Sequence, residues 1–296
     1  MWIDTVRKIA DIEDDIVSSR LICLDTEYDS FRYFTDKLCL IQLKTDKMTY
    51  LLDPLQGLDL SFLKKPFADP GVLKVLHAGD NDIRLLKRDY GFEFRNIFDT
   101  HRAAHILGNH YLALSKLITD HLGVEFSKKK TIQRSQWDNR PLTQEQIAYA
   151  AQDTAYLPAL YRKLACDIKE KGLSQLAAAH FENIASLTWR AKDLDPQGHK
   201  KIKGYVTLNT EQKSLLKKLF GWRFQKAKNA NRATFMIMSD QNLLSLSKAD
   251  IRSRDDLVRT GIMSAERISQ LGAEIIDIAS GTDTGMSQVR AASRGA

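Results

Sequence analysis

The chain has 296 residues, is 43% hydrophobic and carries 44 Lys and Arg against 37 Asp and Glu, a net charge of +7. That length and composition suit a globular protein of about two domains. The absence of any apolar run of about 18 residues excludes a membrane-spanning helix, and the start Met1–Arg7 lacks the apolar stretch of a signal peptide, so the expected location is the cytoplasm.

The charge is uneven. Residues 200–296 sum to +8 and the rest to about −1, the pattern of an acidic catalytic part joined to a basic part that holds a polyanion. The three cysteines, Cys23, Cys39 and Cys166, are far apart in apolar segments, which suggests core thiols rather than a disulfide framework or a zinc site.

In chain order, Asp11-Ile12-Glu13 sits in an acid-rich stretch that reads as the solvated face of a helix. Leu21-Ile22-Cys23-Leu24-Asp25-Thr26-Glu27 is different: an apolar run of strand type that delivers two carboxylates one residue apart, hence on one face. Carboxylates side by side at the end of a buried strand repel each other and resist desolvation unless a cation neutralises them or one holds a proton. A divalent metal site is the expectation. Lys37–Leu43 and Met48–Asp53 complete an antiparallel meander, and Gly71–His77, Ala78–Tyr90, Arg95–Asp99 and Thr100–Leu107 then alternate strand and helix. This order is that of a ribonuclease-H-like α/β fold, a mixed sheet flanked by helices.

At the junction after His77, Asp80 suits the N-cap of the coming helix and Asp82 is the functional candidate, since ligands sit where parallel strands end. Residues 113–123 read as a short helix. The basic loop Ser127–Asp138, with Lys128, Arg134 and Trp137, suits phosphate contacts and base stacking, or else a solvated loop with a core Trp. Thr143 and Gln146 form a capping box that opens a helix carrying Tyr149 and Asp153 one turn apart, and Pro158 should interrupt it. His101 and His105 have the spacing of a zinc pair, but no Glu accompanies them, and they read as part of a packed helix.

Asp25 and Glu27, Asp82, then Tyr149 and Asp153, in this order, resemble the ribonuclease D family and the wider group of 3′-to-5′ exonucleases that is named for its Asp-Glu-Asp-Asp residues, in the branch with a tyrosine in the last motif. Further carriers are His77-Ala78-Gly79, Asp99-Thr100 with Ala103-Ala104, and Trp137 through Arg140-Pro141-Leu142. The resemblance covers roughly residues 1–190. It implies that Asp25, Glu27, Asp82 and Asp153 ligate two divalent ions, Mg²⁺ or Mn²⁺, and that Tyr149 orients the attacking water. It also implies release of nucleoside 5′-monophosphates from RNA 3′ ends, with tRNA precursors or other small structured RNAs as substrates. Thr26, Gln42, His77, Lys128, Arg134 and Trp137 are candidate substrate contacts. A DNA exonuclease that also takes single-stranded DNA, and a non-catalytic RNA-binding module, are the alternatives. The protein is expected to be a monomer.

The C-terminal part is helical throughout, and Leu219–Arg223 with Phe235–Asp240 resemble a helicase-and-RNase-D C-terminal (HRDC) domain, a nucleic-acid-binding module. Between Lys200 and Arg232 there are ten basic residues and one acid, a surface suited to phosphates. The expected domains are 1–195 for the exonuclease, 196–206 for a linker, 207–280 for the HRDC-like domain and 281–296 for a disordered tail.

Overall fold

The computed structural model describes residues 1–125 and 130–281. Lys128 and all but the first residue of the expected tail lie outside these. The chain forms two compact units, residues 1–29 with 36–190, and residues 30–35 with the chain from 191 onward.

The first unit runs β1 (Trp2–Ile3), α1 (Val6–Ser18), β2 (Leu21–Asp29), β3 (Lys37–Lys44), β4 (Thr49–Leu52), α2 (Lys64–Ala68), β5 (Leu73–Leu76), α3 (Asp80–Tyr90), β6 (Ile97–Asp99), α4 (Thr100–Ile106), α5 (Leu114–Leu122), α6 (Lys130–Gln133), α7 (Gln144–Ala155), α8 (Leu157–Glu170) and α9 (Ser174–Ser186). Its strands form one mixed sheet in the order β1-β4-β3-β2-β5-β6. The meander β2-β3-β4 is antiparallel, and β5 and β6 run parallel to β2, as the alternation of strand and helix requires. The fold class expected from sequence is the one observed. Strand β1 adds to the far edge, parallel to β4, and at two residues is too short to show any alternation.

Period-two alternation sorts the strands onto two faces. Ile22 and Leu24 of β2, with Ile41 and Leu43 of β3, face a core shared with Ile9, Ile12 and Ile16 of α1 and Ile83 and Leu86 of α3. On the opposite face, Cys23 and Val75 pack with Leu117, Leu157, Leu160 and Leu164, while Leu40 and Leu51 pack with Trp137, Tyr149 and Ala150. Each fully buried aliphatic side chain contributes about 2 kcal/mol through removal from water. Helix α1 shows the solvated face expected of it: Asp11, Glu13 and Asp14 are exposed. Asp15, by contrast, is buried and accepts from the hydroxyls of Thr45 at 2.7 Å and Tyr50 at 2.6 Å. Cys23 and Cys39 are core thiols, but Cys166 is exposed on α8, a correction to the expectation for all three.

Helix α7 is held firmly at its start. The capping box is present, with Gln146 N donating to Thr143 Oγ1 at 3.2 Å and Thr143 N donating to Gln146 Oε1 at 2.9 Å. Just before it, Arg140 grips the buried Asp53 with two hydrogen bonds, Nε to Oδ2 at 2.7 Å and Nη2 to Oδ1 at 2.6 Å, and also donates to Cys39 O at 2.7 Å. This fork ties the segment entering α7 to β3 and to the end of β4. The far end breaks as expected: α7 stops at Ala155, and Pro158 falls in the first turn of α8, where its missing N–H costs nothing.

The second unit contains α10 (Thr210–Asn229), α11 (Thr234–Ile237), α12 (Asp240–Lys248), α13 (Arg254–Thr260) and α14 (Ala265–Ser280) around a core that includes Leu216, Leu219, Trp222, Leu243, Leu257 and Ile275. The stretch 196–206, expected as a linker, is packed, since His199, in a short 3₁₀ turn, and Ile202, just after it, are buried. The unit also takes in Ser30–Thr35: Phe34 meets Phe224 edge-on with centroids 5.0 Å apart, and Ala233 N donates to Arg32 O at 2.9 Å. Of the ten basic residues from Lys200 to Arg232, Arg223 is internal, donating to Met238 O at 2.8 Å and pairing with Asp240 at 2.8 Å. Lys200, Lys201, Lys203, Lys217, Lys218, Lys228 and Arg232 are exposed. Among the described residues no helix is long and apolar enough to cross a membrane.

The fork leads to a stability prediction. Arg140→Met leaves the Asp53 carboxylate buried without its cation, and urea melts should show a loss of about 3 kcal/mol. A loss under about 0.5 kcal/mol would remove Arg140 as the anchor of α7.

Candidate active site

Strand β2 carries Asp25 and Glu27 on the face turned toward α7 and α8, and α7 carries Tyr149 and Asp153 on one side, a turn apart. The two elements meet so that Asp25, Glu27 and Asp153 each offer an oxygen, all within 4.8 Å of one another. Asp153 is 3% exposed, and Asp25 and Glu27 are half-buried. Around them lies a cleft of about 250 Å³ lined by Thr26, His77, Ala78, Leu114, Gln133, Tyr149 and Leu157 as well as the three acids. Among the described residues this is the one group of three or more acids, histidines or cysteines close enough to share a metal ion. Three hard oxygen donors with no imidazole or thiolate suit Mg²⁺ or Mn²⁺ rather than zinc.

Tyr149 sits with its ring 6.0 Å from that of Trp137. Burial, and then the charges of Asp153, Glu27 and Asp25, push its phenol far above the ordinary value, so it keeps its proton at neutral pH.

Asp82 stands apart from the three acids. It projects from the first turn of α3, whose apolar side packs on the opposite face of the sheet, and accepts a hydrogen bond from the hydroxyl of Thr26, the residue between Asp25 and Glu27. The sequence places all four carboxylates in one set; the structure brings three together and couples the fourth to them through Thr26. Burial raises the Asp82 carboxyl to about 6, with Asp99 and Asp80 adding to the rise and the Thr26 hydroxyl opposing it. Asp80 is not the N-cap: α3 begins at Asp80 itself, Gly79 holds the cap position, and the Asp80 carboxylate pairs with Arg102 at 2.9 Å.

The turn that sets these positions depends on two small residues. Ala78 has φ +55°, in the left-handed region, and a Cβ on Gly79 would lie 2.6 Å from Leu76 Cδ2, closer than two carbons can approach. Asp99, buried at the end of β6, pins the turn by accepting from Gly79 N at 2.8 Å while capping α4 through Arg102 N at 2.8 Å. Thr100 gives its hydroxyl proton to Leu76 O at 3.0 Å, so toward His77 Nδ1, at 2.9 Å, it accepts. His77 therefore carries its proton on Nδ1, and contact with a ligand in the cleft falls to Nε2.

The other sequence candidates divide. Thr26 and His77 line the cleft. Gln42 is fully buried on β3 and cannot touch a substrate, which corrects that expectation. Trp137 is 2% exposed, with Nε1 donating to Gln133 O at 3.3 Å, and has no ring face for a base: the core reading of this residue holds and the stacking role is corrected. Arg134 is exposed and outside the cleft lining. His101 packs edge-on against His77 at 5.6 Å and His105 is exposed, so the two make no zinc pair. Sequence reasoning missed Gln133, Leu114 and Leu157 in the lining. Gln133 lies in a stretch whose sequence signal is its basic charge, and the two leucines carry no chemical signal.

Comparisons with known proteins bear on the family and the fold. A family model described as 3′-5′ exonuclease matches residues 1–169, and one described as HRDC domain matches residues 212–278. Ribonuclease D of Pseudomonas paraeruginosa is 30% identical over 259 residues, covering 87% of this chain and 68% of that protein. The Exosome complex component 10 homolog of Drosophila melanogaster is 28% identical over 256 residues, 84% of this chain but only 28% of that protein, so the chain spans little more than a quarter of such relatives. Among solved structures, the catalytic core of RRP6 from Trypanosoma brucei matches with a TM-score of 0.85 at 23% identity, covering 95% of this chain and 80% of that one. Escherichia coli RNase D matches with a TM-score of 0.70 at 26% identity, covering 97% and 76%.

The raised Asp82 carboxyl gives a signed expectation. A group whose folded-state value lies above its unfolded one binds more protons in the folded state, so stability falls as pH rises from the ordinary carboxylate range through about 6. In EDTA, Asp82→Asn should therefore gain stability relative to wild type as pH goes from 4.5 to 8, read by urea melts. A difference constant across that range would contradict the buried-carboxyl account.

Proposed function

The chain belongs to the 3′-5′ exonuclease family, with an HRDC domain after the nuclease part, and from that premise we propose that it is a metal-dependent exoribonuclease of the ribonuclease D type acting at RNA 3′ ends. The observation that carries this reading is the convergence of Asp25, Glu27 and Asp153 with Tyr149 in one cleft.

Asp25, Glu27 and Asp153 would hold the divalent ions, Mg²⁺ or Mn²⁺, and Asp82 would support them through Thr26. When bound, two such ions supply charge neutralisation at the phosphodiester, activation of a water and stabilisation of the leaving 3′-oxygen. The protein's own residues do the placing. Tyr149 orients the attacking water through its phenolic oxygen, since a phenol, with an ordinary value of about 10, is a poor base at neutral pH. His77, its tautomer set by Thr100, offers Nε2 to the terminal nucleotide. Leu114 and Leu157 give that nucleotide an apolar wall. Hydrolysis in this arrangement releases nucleoside 5′-monophosphates one at a time.

The exposed lysines of the second unit supply sequence-independent attraction for the rest of the RNA. The E. coli relative is described as an exoribonuclease involved in structured RNA processing, and we extend that substrate class to this chain: the 3′ ends of small structured RNAs such as tRNA precursors, acted on by a monomer.

The test is a single-turnover assay on matched 5′-labelled RNA and DNA with Mg²⁺, Mn²⁺ or EDTA. A ladder shortening from the 3′ end of RNA, absent in EDTA and lost in Asp25→Asn and Asp153→Asn, is expected, and Tyr149→Phe should lower kcat about 10²-fold with little change in KM. Preferential degradation of the DNA would move the protein to DNA processing. RNA binding without cleavage by either metal form would make it a binding module.

A further inference from the structure

Gln42 is a polar group in the core for which the mechanism has no use. It is fully buried, and among the described residues neither Nε2 nor Oε1 of its amide has a hydrogen-bond partner. A buried amide left unsatisfied is costly, and apolar side chains stand around it on the same face, Leu40 on its own strand and Leu51 opposite it on β4. A Leu or Met here would complete that cluster at no such cost. The amide therefore points to a polar neighbour engaged in the working state.

Register identifies that neighbour. Gln42 lies directly opposite Asp25 in the antiparallel β2-β3 pair, with both side chains on one face and Cβ atoms about 5 Å apart, while Leu40 stands opposite Glu27 and Lys44 opposite Cys23. On the other side, α7 packs over β3 and β4 and carries a second buried polar atom with no partner among the described residues, Thr154 Oγ1. Thr154 is one turn beyond Ala150, which packs on Leu40 and Leu51, so its hydroxyl overlies the same face.

We infer that Gln42 is a positioning residue for Asp25: its amide N–H donates to the Asp25 carboxylate while its carbonyl accepts from Thr154, holding Asp25 in the orientation that shares a cation with Glu27 and Asp153. The inference rests on the metal-dependent nuclease reading. The link to Thr154 ties the orientation of Asp25 to the helix that carries Asp153.

The test uses Gln42→Met, close to Gln in volume, and Thr154→Val, with Asp25→Asn as control. Mn²⁺ binding is read by electron paramagnetic resonance without RNA, and kcat and KM are measured on single-stranded RNA. In EDTA, Gln42→Met should melt no lower than wild type, because it removes an unsatisfied amide, whereas its Mn²⁺ affinity should fall about 10- to 100-fold. Its kcat should fall with KM for RNA unchanged, and Thr154→Val should show the same pattern more weakly. Mn²⁺ affinity within about twofold of wild type in both variants would overturn the proposal, as would a change confined to KM. Should Gln42→Met fail to fold, Thr154→Val and Gln42→Asn, whose shorter amide cannot span from Asp25 to Thr154 and should also lose Mn²⁺ affinity, decide it. A wild type that binds Mn²⁺ yet leaves RNA intact would defeat the exoribonuclease reading, and the Mn²⁺ measurements would still decide the role of Gln42.

Discussion

Three carboxylates held within 4.8 Å of one another dominate the first unit. Left to themselves they repel, and bringing Asp153 into the interior adds the loss of hydration. The fold resists both effects by fixing the two elements that carry the charges. Strand β2 is central in the sheet, paired with β5 through Leu21–Cys23 and with β3 along Asp25 and Glu27, which fixes the two acids in the sheet. Helix α7 is pinned at its start by the Arg140–Asp53 fork and the Thr143–Gln146 capping box, and ends where Pro158 forces a new helix. Repulsion stored this way turns into affinity for a divalent cation, which is the link from packing to chemistry.

The ends of β5 and β6 form a second layer of control. Asp99 holds the Ala78-Gly79 turn and caps α4, and Thr100 sets the tautomer of His77. Asp82, reaching the tip of β2 from the opposite face, meets Thr26 rather than the acids themselves. Side chains from both faces of the sheet thus converge on three consecutive residues of one strand. The left-handed Ala78 and the close approach of Gly79 to Leu76 mark the local strain this placement needs.

Much of this was legible from the chain, for physical reasons. The apolar run ending in Asp25-Thr26-Glu27 announced a buried strand with paired acids, and the Thr143–Gln146 box and Pro158 bounded α7 because both signals are local. What escaped was set by tertiary context. Asp80 looked like a cap in sequence, yet the helix starts one residue earlier than that role requires. Trp137 and Gln42 had residue types suited to RNA, but only burial shows that neither can reach it. Strand β1 borrows its stability from β4, and Ser30–Thr35 joins the second unit through Phe34 and Arg32 in a way that no periodicity encodes.

The central claim is that Asp25, Glu27 and Asp153 together form a divalent cation site. Anomalous diffraction from crystals soaked in Mn²⁺ tests it most directly. The account predicts a peak within ligand distance of oxygens from all three carboxylates, about 2.0–2.3 Å, which disappears in crystals of Asp153→Asn. Mn²⁺ found only at other surface carboxylates, with the three acids unliganded at saturating metal, would contradict it.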